Sequence, residues 1–109
     1  MKEIKAYVHR NRVADIILAL RNAGYCGGTC NLSVADVAGT LHAIDAKDKS
    51  FSLELGDEVI NEVKLELVCE DERADEAVRI IQEHGRTGQK IAGWVCIIDV
   101  DAAYPIDTD

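Results

Sequence analysis

A chain of 109 residues, 48% hydrophobic and 29% charged, has room for one domain with a two-layer core that buries roughly 60–70% of its unfolded surface. Its longest apolar runs, such as Val95-Cys96-Ile97-Ile98, fall far short of the roughly 20 residues that span a bilayer. Twenty acids against twelve Lys and Arg leave a formal charge of −8, which argues against a nucleic-acid partner because phosphates reward cations.

Residues 3–9 set Ile4, Ala6 and Val8 against Lys5, Tyr7 and His9, the period of a half-buried strand. The segment turns polar at Lys5 with no apolar leader ahead of it. A cytoplasmic setting is therefore expected, with Cys26, Cys30, Cys69 and Cys96 reduced. Val13, Ile16, Ile17, Leu20 and Ala23 then follow helical spacing, and Gly24 stands where a left-handed cap is wanted. Gly27-Gly28 predicts a turn, and a second strand is expected within Thr29–Ala38. Residues 39–58 hold no sustained apolar period apart from the alternation over Ser50–Leu55, so they are expected as a long, flexible, functional loop. Val63, Leu65 and Leu67 mark a third strand. Asp71 is the expected cap of a second helix, whose stripe is Ala74, Ala77, Val78 and Ile81 and whose stop is Gly85. Arg86–Lys90 leads to a last strand, Trp94–Val100, and residues 102–109 read as an acidic tail.

The order β-α-β-β-α-β predicts a single α+β domain over 1–109, a ferredoxin-like sandwich with both helices on one sheet face. The halves echo each other weakly, Glu3-Ile4-Lys5 against Glu62-Val63-Lys64, Ala14-Asp15 against Ala74-Asp75 and Gly24 against Gly85, at an offset that drifts from 59 to 61. Tyr7, Val68, Cys96 and Ile98 fall on the second sheet face, enough apolar surface to favour an oligomer.

That order, with a long insertion between the middle strands, resembles the PII signal-transduction family. Met1-Lys2-x-Ile4-x-Ala6 is similar to its first strand and Val63-Lys64-Leu65-Glu66 to its third. Leu20-x-x-Ala23-Gly24-Tyr25-x-Gly27-Gly28-Thr29 resembles its first helix-to-strand turn, and Arg86-Thr87-Gly88 with Gly93 resembles its B-loop, "R-T-G-x-x-x-x-G". The resemblance implies a homotrimer with inward-facing sheets and effector clefts between subunits. Residues 39–58 would be the T-loop, through which a target protein such as a transporter or enzyme is engaged. Adenine nucleotides (ATP, ADP, AMP) are the implied effectors, none being a required cofactor. The implied ligand-binding residues are Arg86, Thr87, Gly88 and Lys90, with Gly27, Gly28, Thr29 and Gly39. An arginine fork, a hydroxyl and exposed N–H groups are what an anion cradle requires.

The chain also departs from the family. The B-loop continues Gln89-Lys90-Ile91-Ala92-Gly93-Trp94 where "K-I-G-D-G-K" is usual, and Pro105-Ile106-Asp107 stands for "R-I-R". Loss of three basic contacts, at about 1.5–3 kcal/mol each, weighs against ATP in the usual mode and leaves ADP, AMP or an entirely different anion open. Two rival readings follow from the residues. Cys26, Cys30, Cys69 and Cys96 with His9, His42 and His84 supply the ligand alphabet of a metal-binding or metal-tolerance protein on the same trimeric architecture. No cysteine spacing is that of a zinc site, so no metal site is assigned. An acylphosphatase-like enzyme would share the element order, with Arg12 and Asn31 at its phosphate, but that family's loop pattern is absent; a protein without catalytic activity is expected.

Overall fold

The structure, a computed structural model, describes residues 1–25 and 31–108. Five strands, β1 (Lys2–Val8), β2 (Leu32–Gly39), β3 (Ser50–Ser52), β4 (Asp57–Cys69) and β5 (Trp94–Asp99), and two helices, α1 (Val13–Asn22) and α2 (Ala74–His84), follow in the order β-α-β-β-β-α-β. All strand pairs are antiparallel, in the order β2-β4-β1-β5, with β3 pairing the first residues of β4 as a hairpin. This is a mixed α+β arrangement consistent with a ferredoxin-like fold, as expected.

Period-2 patterning decides which face is covered. Ile4, Ala6 and Val8 lie opposite Leu67, Leu65 and Val63 in the β1–β4 register, and all six are buried. Ile16 and Leu20 of α1 and Ala74, Ala77 and Ile81 of α2 close on them. Each fully buried Leu or Ile contributes about 1.5–3 kcal/mol. The opposite sheet face is mixed rather than apolar. Glu3–Lys5 and Lys64–Glu66 ion pairs, at 3.5 and 3.2 Å, alternate with Tyr7, Val68, Trp94, Cys96 and Ile98.

The two helices are built alike. Each follows a single 3-10 turn, Arg10–Arg12 or Asp71–Arg73, and each N-cap is an arginine, Arg12 at φ −102°, ψ −8° and Arg73 at φ −101°, ψ −6°. Arg12 Nε donates to the His84 carbonyl at 2.9 Å. Arg73 Nη1 and Nη2 donate to the Gly24 and Ala23 carbonyls. Each guanidinium thus satisfies carbonyls orphaned at the end of the other helix. Each also pairs with an acid three residues on, Arg12 with Asp15 at 2.8 Å and Arg73 with Glu76 at 3.1 Å. The helix starts therefore repeat at a constant offset, Arg12 to Arg73 and Asp15 to Glu76, which removes the drift read from the sequence.

Two expectations are corrected. Asp71 does not cap α2; it opens the 3-10 turn and pairs with the terminal ammonium of Met1 at 2.8 Å. The stretch 39–58 holds more regular structure than its composition indicates. Gly39 ends β2, Ala46–Asp48 is a 3-10 turn, and β3 pairs Ser50 with Val59 and Ser52 with Asp57. The alternation over Ser50–Leu55 marks this ribbon arm, of which Ser50–Ser52 is strand.

Candidate functional site

The site is built where α2 ends. The Gly85 N–H bonds the Ile81 carbonyl at 2.8 Å, and a Cβ at this position would press on that same carbonyl, so glycine is required for closeness rather than for a left-handed φ. The left-handed turn comes at Gly88, φ +88°. A Cβ there would meet nothing within this chain, so what the chain itself asks of Gly88 is conformational. A Cβ on Gly93 would overlap the Tyr7 carbonyl; only glycine lets the returning chain lie against the end of β1.

Between the end of α2 and the returning chain lies a cleft of about 560 Å³. Val8, Ile81 and Val95 supply apolar walls, and Arg86, Lys90, Ile91 and Trp94 its rim. Eight of the twelve Lys and Arg side chains make ion pairs; among the described residues Arg21, Arg79, Arg86 and Lys90 make none. Two of these four uncommitted cations stand on one rim, in a chain of net charge −8. An apolar-walled cleft with unspent guanidinium and ammonium groups fits an anion carrying an apolar or aromatic body.

Thr87 does not face this cleft. Its Oγ1 lies 2.6 Å from Gln89 Oε1, to which it donates, and accepts the Gln89 N–H at 3.3 Å. Gln89 Nε2 then donates to the His42 carbonyl at 2.9 Å. The loop that carries Arg86 and Lys90 is thereby tied to the segment between β2 and β3. His9, nearly fully buried at the end of β1, has no hydrogen-bond partner at Nε2 among the described residues. Burial lowers its pKa, opposed by Asp48 and by the Gln89 side chain, one from each of these two segments. In the sequence Gln89 marks only a departure from the resembled B-loop pattern; its bridge to His42 depends on a loop position that no spacing encodes.

Gly39 lies away from the Arg86 cleft, at the end of β2, and borders a second hollow of about 380 Å³ with Glu62, Tyr7, Leu55 and Trp94. Trp94 is 62% exposed and stands between the two hollows. Gly27, Gly28 and Thr29, and the pair Cys26 and Cys30, lie outside the described residues. Among the described residues no group of three or more His, Cys, Asp and Glu converges as a metal site; Cys69 is buried and Cys96 exposed. Among them too, no helix is long and apolar enough to cross a membrane.

Comparison with known proteins decides the family. The description "Nitrogen regulatory protein P-II" belongs to a family model that matches residues 1–109, the whole chain. The chain belongs to the P-II family. It is 32% identical over 111 residues to nitrogen fixation nifHD region GlnB-like protein 1 of Methanothermococcus thermolithotrophicus, covering 99% of this chain and 95% of that protein. Identity to the protein of the same description from Methanobacterium ivanovii is 31% over 109 residues, with 99% and 95% covered. Nitrogen regulatory protein P-II 1 of Methanothermobacter thermautotrophicus is 27% identical over 100 residues, 92% of this chain and 84% of that protein. In this member of the P-II family, Gln89 and Trp94 stand beside the Arg86-Thr87-Gly88 turn.

Proposed function

We propose that this P-II family chain is a regulator without catalytic activity that binds a small anion, with an adenine nucleotide as first candidate, at the Arg86–Lys90 cleft. The observation that carries the reading is the pair of uncommitted cations on an apolar-walled cleft. Trp94 and Ile91 offer flat and aliphatic surface to a base, while Arg86 and Lys90 face its phosphates. With two cations rather than a full basic cage, ADP or AMP suits the site better than ATP.

The open cleft of one chain is completed by a neighbour in this reading, a homotrimer whose mixed sheet faces meet at Val68, Cys96 and Ile98. Occupancy reaches a partner protein, a transporter or enzyme, through residues 39–58, because Gln89 holds both the cleft loop and the His42 carbonyl. Such a switch can shift the loop only by the difference in ligand affinity between its two positions.

Isothermal titration with ATP, ADP and AMP tests the site. Saturable binding of at least one is expected, with ADP or AMP no weaker than ATP. Arg86→Ala should weaken it about ten- to a hundredfold, the size of one charge-assisted contact. Silence for all three, or affinity unchanged by Arg86→Ala, overturns the nucleotide reading.

A further inference from the structure

The second hollow has the opposite chemistry from the first. Its floor is Glu62, 4% exposed, on a position of β4 that faces away from the helices. The carboxylate accepts one hydrogen bond, from the Leu41 N–H at 3.3 Å, and makes no ion pair among the described residues. A Cβ on Gly39, the cross-strand neighbour of Ile60, would overlap the carboxyl group, so β2 is shaped to admit it. Around it stand Tyr7, Val37, Leu55 and Trp94. A carboxylate taken from water and given one long hydrogen bond is poorly compensated; burial raises its pKa, with the Leu41 N–H as the opposing influence.

We infer that this hollow is a binding site for a small organic cation carrying an ammonium or guanidinium group. The cation would complete the missing ion pair with Glu62, and the faces of Tyr7 and Trp94 suit its charge through the ring quadrupole. The apolar side chains of Val37 and Leu55 accommodate a short aliphatic stem. An anionic effector is disfavoured at the same place by the carboxylate, so the two hollows that share Trp94 divide ligands by charge.

Trp94 is the only tryptophan, so its fluorescence reads the hollow directly. Titration of the full chain with agmatine and with butylamine should give saturable changes that n-butanol, the uncharged control, does not. Glu62→Gln keeps an acceptor for Leu41 and should weaken both by about tenfold or more. Trp94→Ala, at an exposed position, should weaken both in calorimetry while leaving the thermal transition in place. No saturable response to either amine, or an equal response in Glu62→Gln, overturns the inference. Because Arg86→Ala should spare amine binding and Glu62→Gln should spare nucleotide binding, failure here is distinguishable from failure of the proposed function.

Discussion

Helices α1 and α2 begin on the same 3-10 turn and the same arginine backbone conformation, yet the chain leaves them in different ways. After α1, Gly24 turns left-handed at φ +87°, and the Gly24 and Tyr25 N–H groups bond the Arg21 and Leu20 carbonyls in the paired pattern that seals a helix end. Tyr25 is then driven into the core, 1% exposed, with its ring 3.9 Å from the Arg73 guanidinium and its hydroxyl 2.7 Å from both the Arg73 carbonyl and Glu76 Oε1. After α2, Gly85 stays right-handed at φ −86°, and the next residue is Arg86, exposed and uncommitted beside an open cleft. One end of the duplicated unit is plugged by an aromatic side chain; the other is left open with a cation at its mouth. Under the proposed function, the difference assigns stability to one end and ligand binding to the other.

The largest way to break the comparison is to remove the plug. Tyr25→Ala should lose about 3–5 kcal/mol of unfolding free energy, read by denaturant titration; a loss below about 1 kcal/mol would mean that the closed end is not a packing element. The arginines come next. Arg73→Ala should cost about 2 kcal/mol, since it binds two carbonyls and covers the Tyr25 ring, and Arg12→Ala about 1 kcal/mol, since it binds one. Equal losses would deny that Tyr25 makes the two ends unequal. The smallest effect is in alkaline solution. Burial and the Glu76 carboxylate push the Tyr25 phenol up to about 12 from an ordinary value of 10.0. The unfolded chain therefore releases this proton first, so stability should be full below pH 10 and fall progressively between about pH 10 and 12. Tyr25→Phe should flatten that slope in a pH series of thermal melts.

Much of the fold was legible because its signals are periodic. Ile4, Ala6 and Val8, the stripe from Val13 to Leu20, and the glycines at 24 and 85 declare strand, helix and stop from local spacing alone. The P-II resemblance rested on the same spacing and was shown by the whole-chain match. What stayed hidden depends on contacts across the chain. The reciprocal capping by Arg12 and Arg73 joins residues 72 and 50 apart. Glu62 alternates in β4 like any solvent-facing acid, and nothing local says that the end of β2 buries it. Asp71 has the residue type of a cap, but Glu70 in extended conformation starts the turn one position earlier. At the candidate site, the motif spacing brings Arg86 and Lys90 to one cleft, whereas the Thr87–Gln89 hydrogen bond has no signal in the spacing.

The central claim is that the open end of α2 communicates with residues 39–58 through Gln89. Hydrogen exchange with and without saturating ADP, on the wild type and on Gln89→Ala, tests it most directly. ADP is expected to change amide protection around Leu41–Asp48 in the wild type, and Gln89→Ala to bind ADP without that change. ADP binding that leaves the segment unaltered in the wild type, or alters it equally in Gln89→Ala, would contradict it.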